Sequence, residues 1–204
     1  MNPRLSASLA ACVVGLAASA GANAAVAYDE SVSGDLSNAG LTPTAIAVAP
    51  GSNQILGTTG NPGSGLDRDY FTVTVLPGET LSAITLLPGT TIGGTFSFIG
   101  VQAGPQLTVP PNTPDASGLL GWTHYGAPDI GTDLLPAMSV ASDGSSGFTP
   151  PLGAGSYAFW VQDFGPGIVH YGFDLDVTAV PEPATALLML AGLGALGALR
   201  RRRS

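Results

Sequence analysis

Apolar and polar residues alternate with a period of two along much of the chain, as in strands with one buried and one wet face. Residues 169–177 are the clearest case. Their odd positions are all apolar, and their even positions are His170, Gly172, Asp174 and Asp176. Residues 70–75 put Phe71, Val73 and Val75 on one face, and residues 81–86 resume the alternation after Pro77-Gly78. Residues 157–161 set Tyr157, Phe159 and Val161 together. Gly165-Pro166-Gly167 separates the last two strands and predicts an antiparallel hairpin between them. Weaker alternation predicts strands at 45–49, 54–58, 95–101, 106–109 and 119–124. Residues 60–68 and 110–118 read as loops, because their prolines and glycines cannot pair in a central strand. Residues 126–153 are rich in turn formers around an apolar patch at 134–140. No stretch of residues 28–179 keeps a helical period. The pattern predicts an all-β fold, a single antiparallel β-sandwich or jelly roll of one domain.

Both ends depart from this pattern. Arg4 precedes an uncharged, mostly apolar stretch over residues 9–20, followed by the small-x-small sites Ala22-Asn23-Ala24 and Ala25-Val26-Ala27. That order of parts reads as a signal peptide over residues 1–27, cut by signal peptidase after Ala24 or Ala27. The competing reading is a buried N-terminal helix. Cys12, the only cysteine, lies inside the apolar stretch rather than closing it, unlike a lipidated cysteine. Its removal would leave the mature chain without disulfide or thiolate chemistry.

At the other end, Pro181-Glu182-Pro183 precedes an apolar run over residues 184–199, and Arg200, Arg201, Arg202 and Arg203 follow. As a transmembrane helix the run would span about 24 Å, with arginines reaching the headgroups and holding that end in the cytoplasm. These parts resemble the PEP-CTERM sorting signal of Gram-negative bacteria. The resemblance implies export through the inner membrane, transient anchoring by the helix, and cleavage near Pro-Glu-Pro by an exosortase, a membrane-embedded protease. It also implies a final place at the cell surface or outside the cell, in bacteria that make exopolysaccharide and biofilm. The alternative is a permanent single-pass anchor.

Composition narrows the middle of the chain. Lysine is absent, and charged residues make up 10% of the sequence. Residues 28–179 carry 13 acids against Arg68 alone, a formal charge of −12. Such a surface repels nucleic acid and anionic lipid, so neither is an expected partner. The residues Asp67-Arg68-Asp69-Tyr70-Phe71, with Pro77-Gly78 after them, resemble the heart of bacterial pre-peptidase C-terminal domains. That resemblance implies a non-catalytic jelly-roll module of secreted proteins, some of which bind calcium or extracellular polymers.

Candidate chemistry is sparse. Asp67 and Asp69 offer oxygen ligands for Ca²⁺, with Asn53, Asp163 or Asp174 as partners in space. The alternative is that Asp69 caps the turn while Arg68 pairs with a carboxylate. Trp122 and Trp160 are candidates for stacking on sugar rings, or else they fill the sandwich. His124 and His170 come with no nucleophile motif, and no pair of acids marks a glycosidase, so no catalytic residue is assigned. The sequence therefore predicts a non-enzymatic surface or matrix protein associated with exopolysaccharide. The rivals are a secreted hydrolase of matrix polymer and a permanently anchored surface protein.

Overall fold

The computed structural model describes residues 24–63, 65–180 and 191–192. Residues 1–23 of the expected signal peptide and, apart from residues 191–192, the expected sorting helix at 184–199, with Pro181, Glu182, Pro183 and Arg200–Arg203, therefore lie outside the described residues. Among the described residues, no helix is long and apolar enough to cross a membrane.

Among the described residues, nine strands form two sheets. In chain order they are β1 (Ala25–Asp29), β2 (Thr44–Ile46), β3 (Gly51–Asn61), β4 (Arg68–Val75), β5 (Glu79–Leu86), β6 (Ser97–Ala103), β7 (Gly121–Tyr125), β8 (Gly155–Gln162) and β9 (Gly167–Ala179). Two single-turn α-helices accompany them, α1 (Glu30–Ser33) and α2 (Leu135–Met138), with a 3-10 turn at Ala127–Asp129. One sheet has the order β1-β3-β9-β5 and the other β2-β4-β8-β6-β7.

The alternation decides which residues meet between the sheets. Phe71, Val73 and Val75 from β4 and Tyr157, Phe159 and Val161 from β8 join Tyr171, Phe173, Leu175 and Val177 from β9 in one buried core. Phe71 and Phe159 stack at 5.1 Å, and Tyr125 meets Phe173 edge-on across the sandwich at 5.5 Å. Leu135 and Met138 of α2 are fully buried and extend this core. The turn at Pro77-Gly78 follows from its residues. Gly78 adopts φ 84°, and Glu79 N–H donates to the Leu76 carbonyl at 3.0 Å. Proline before a left-handed glycine is the composition that a type II turn requires.

Three expectations need correction. β8 and β9 are not a hairpin: β8 pairs with β4 and β6, whereas β9 pairs with β3 and β5 in the other sheet. Their alternating faces meet across the core instead of side by side, and a Gly-Pro-Gly reversal does not specify which. The sandwich is also not wholly antiparallel, because β1 runs parallel to β3 and β2 parallel to β4. Residues 106–109 form no strand. Leu107 and Val109 alternate because they fasten a loop onto the outer face of the second sheet. The expected signal boundary at residue 27 falls inside β1, whose pairing with β3 starts at Ala25. Cleavage after Ala24 leaves this strand whole, and cleavage after Ala27 removes its first half.

The N-terminal segment links the two sheets. β1 forms one edge of the first sheet, and residues 30–38 then cross to the second. There Ser37 bridges Tyr70, and Asn38 Oδ1 accepts from Arg68 N–H at 2.8 Å. Leu36, 1% exposed, plugs this crossing into the core.

Candidate functional site

Two regions gather side chains that carry chemistry. The first is on the outer face of the five-stranded sheet. Residues that face outward on β4, β8, β6 and β7 line up by register, with Gly100 of β6 opposite both Trp160 of β8 and Trp122 of β7. Tyr70 of β4 pairs with Trp160 on its other side. Phe98 leans over Gly100, close enough that a Cβ there would lie 3.0 Å from its ring. Phe98 stacks on Trp122 at 5.8 Å and meets Trp160 edge-on at 4.8 Å. His124 continues the row, 5.2 Å from Trp122 and 4.0 Å from Phe96. Burial among these rings lowers the His124 pKa, so the imidazole is neutral at pH 7.

The row floors a cleft of about 620 Å³. Asn112, Asp115 and Asp143 stand among its lining residues, with Gln162 beside Trp160. Arg68 borders it, donating to Gln162 Oε1 at 3.0 Å and to Asn112 Oδ1 at 2.8 Å. Arg68 thus bonds amide oxygens, so the alternative in which it pairs with a carboxylate does not hold. Neither tryptophan lies between the sheets. Trp160 is 5% exposed beneath the 104–118 loop, and Trp122 is half-buried with its Nε1 donating to the Ser142 carbonyl at 3.2 Å. Trp160 Nε1 is buried and has no hydrogen-bond partner. Exposed Phe164 completes the lining at one end.

The second region lies where the N-terminal segment crosses between the sheets. Asp69 occupies an inward position of β4, fully buried beside the core. Its Oδ2 accepts from the Tyr171 hydroxyl of the opposite sheet at 2.7 Å, and its Oδ1 has no partner. Glu30 of α1 and Asp35 of the following loop bring carboxylate oxygens to within 4.8 Å of it and of each other. Glu30 is anchored just beyond the end of β1. It accepts from Leu36 N–H at 2.9 Å, Thr58 N–H at 2.6 Å and Thr58 Oγ1 at 3.0 Å. Asp35 is exposed. Glycine at 57 is required here, because a Cβ would run into the Tyr171 hydroxyl and ring.

Burial, with Glu30 next in importance, pushes the Asp69 pKa up to about 9. Burial also raises Glu30, against the pull of its hydrogen bonds. Glu30 and Asp35 line a pocket of about 570 Å³ that opens onto the outer face of the four-stranded sheet.

Of the two aspartates read as calcium ligands, Asp69 joins this group and Asp67 does not. Asp67 lies nearby, half-buried, paired through its backbone with Gly60. Asn53, Asp163 and Asp174 are engaged elsewhere. Asn53 Nδ2 donates to the carbonyls of Ala49, Gly51 and Leu175, and Asp174 accepts from Ser52 Oγ. Asp163 accepts from Ser97 Oγ and from the N–H groups of Gly93 and Gly165. The sequence reading missed Glu30, Asp35 and Phe98. A signal for the first two was present in Asp69 itself, which occupies the inward slot of the alternation shared by Phe71, Val73 and Val75.

Comparison with known proteins adds one finding. Residues 179–203 match the family model of the PEP-CTERM protein-sorting motif. The motif marks an exported protein that is targeted by an exosortase, a membrane protease, and anchored transiently in the membrane before processing. No curated protein and no solved structure matches the chain.

Proposed function

We propose that this is a non-enzymatic component of the cell surface or extracellular matrix, and that it holds exopolysaccharide in the aromatic cleft. The observation that carries this reading is the row Trp122–Phe98–Trp160 on the outside of a sheet, lining a cleft with polar groups at its rim. A pyranose ring has an apolar C–H face that lies flat on an aromatic ring and a rim of hydroxyls that needs donors and acceptors. The cleft offers both, since a few polar groups around an apolar floor are what orients a ligand. The sorting motif supplies the setting. The formal charge of −12 over residues 28–179 favours a neutral polymer over a polyanion.

The groups in the cleft suit binding better than hydrolysis. Asp115 accepts from the backbone N–H and hydroxyl of Ser117 within its own turn, and His124 packs against Phe96 and Trp122. The intact β1 supports a mature N-terminus at Ala25.

Co-sedimentation of the mature protein with the producer's own exopolysaccharide tests the reading. Wild-type protein is expected to pellet with the polymer, and Trp122→Ala to bind at least about tenfold more weakly, the order expected for loss of one aromatic stacking surface. Trp122 is half-buried outside the main core, so this variant is expected to keep its fold. A wild-type protein that stays in the supernatant, or a variant that pellets equally well, contradicts the proposal.

A further inference from the structure

We infer that one end of the sandwich, built from the turns at residues 47–51, 76–79 and 150–154, is a lipid-facing surface that rests on the bilayer in which the sorting tail is anchored. The inference is independent of the glycan reading, since it concerns an end of the molecule and not the face that carries the cleft. Strand register fixes where the chain leaves the body. β9 stays paired with β5 as far as Ala179, opposite Glu79, and Val180 N–H donates to the Gly78 carbonyl at 2.7 Å. Pro181-Glu182-Pro183 alone separates this last bond from the apolar run at 184–199. Three residues reach at most about 11 Å, even fully extended. While the tail is anchored in the membrane, this end of the body therefore lies against the headgroups. The chain also enters the body here, because Ala25 pairs with Asn53, two residues after β3 begins.

The composition of this end fits lipid contact. Its turns are Ala47-Val48-Ala49-Pro50-Gly51, Leu76-Pro77-Gly78-Glu79 and Pro150-Pro151-Leu152-Gly153-Ala154. Glu79 is their one charged residue, and its carboxylate turns back to accept from Leu76 N–H at 3.3 Å. Leu76 and Val180 are apolar and yet exposed, as are Ala49, Pro50 and Ala154. Acids gather at the opposite end. There Glu30 bonds Thr58, Asp67 pairs with Gly60, and Asp163 follows the last residue of β8. Ile168, exposed at that end, shares a pocket with Asp35 and Asp67, which suits water and not lipid. Asp174 and Asp176 stand on the flank, along β9. This uneven spread of a formal charge of −12 turns the acidic end away from a membrane surface, instead of driving the whole body off it. A few apolar side chains hold weakly by themselves, so the contact lasts only as long as the tail. The aromatic cleft, on the outer face of the second sheet, then opens to the side.

Site-specific lipid quenching of the chain from Ala25 to Ser204 in phosphatidylcholine vesicles tests this. Cys12, the only cysteine, precedes that chain, so an introduced cysteine is unique. Vesicle-inserted protein is collected by flotation and carries bimane at Ala49→Cys or at Pro62→Cys, roughly 30 Å away just past the far end of β3. A lipid with a nitroxide at its headgroup is expected to quench the Ala49→Cys label at least about fivefold more than the Pro62→Cys label, because only the first lies in the interface. Adding Leu76→Glu is expected to reduce the Ala49→Cys quenching at least about twofold, with Tm unchanged because Leu76 is exposed. Equal quenching at the two positions, as for a body that swings freely on its tether, overturns the proposal. So does Ala49→Cys quenching that Leu76→Glu leaves untouched.

Discussion

Phe159→Ala is expected to cost the protein about 3–5 kcal/mol, the usual penalty for truncating a fully buried aromatic residue. Phe159 is 0% exposed at the centre of β8, stacked on Phe71 and packed between the sheets. Removing the ring leaves a cavity that two hydrogen-bonded sheets cannot close by small shifts, so both the transfer and the cavity contributions are lost. For a domain of this size the change corresponds to a fall in Tm of roughly 10 °C. Trp160→Ala, the adjacent residue on the same strand, acts on the outer face and should leave the inter-sheet core intact. Differential scanning calorimetry of both variants checks the assignment of faces. A Phe159→Ala protein within about 1 kcal/mol of wild type would mean that β8 does not face the core as described.

The second large effect is on pH dependence, through Asp69. Its pKa is 3.8 in the unfolded chain and about 9 in the folded one, raised first by burial and then by Glu30. A carboxyl group with a raised folded pKa binds more protons in the native state across that interval. Stability is therefore fully present below the unfolded value and is lost as pH rises through the folded one. Burial raises Glu30 and Asp67 in the same sense. His124, with a lowered pKa, works in the opposite sense, but only around and below its ordinary value of 6.5. Between pH 7 and about 9 the carboxyl effect stands alone. Tm is expected to fall by several degrees over that window, and Asp69→Asn to flatten the curve, since the amide has no proton to lose. A wild-type Tm that is level or rising from pH 7 to 9 would contradict the account of Asp69.

Period-two alternation made much of the sandwich legible. Residues 70–75, 157–161 and 169–177 are strands whose inward faces are those their patterns indicate, and 81–86 is a strand whose alternation is broken by a bulge between Leu81 and Ala83. What alternation lacks is partner information. The 155–162 and 167–179 strands look like a hairpin because the code for an inward face is the same in either sheet. β1 is hard to see because Ala25-Val26-Ala27 is composed as a cleavage site requires, and a five-residue strand that opens on three small apolar residues has little further signature. Of the candidate sites, the two tryptophans were visible as types. Their alignment through Gly100 depends on cross-strand register, which no single segment encodes. The carboxylate group joins residues separated by more than thirty positions through a crossing segment, so only the out-of-place Asp69 pointed to it.

The central claim, that the cleft holds polysaccharide, is open to one direct measurement. The chain has two tryptophans, and both line the cleft, so its tryptophan emission reports on that place alone. Titrating the mature protein with the producer's exopolysaccharide is expected to shift the emission to shorter wavelength and to protect Trp122 from iodide quenching, saturating at the same concentration as co-sedimentation. Polymer that pellets the protein while emission and quenching stay unchanged would place binding elsewhere and contradict the account.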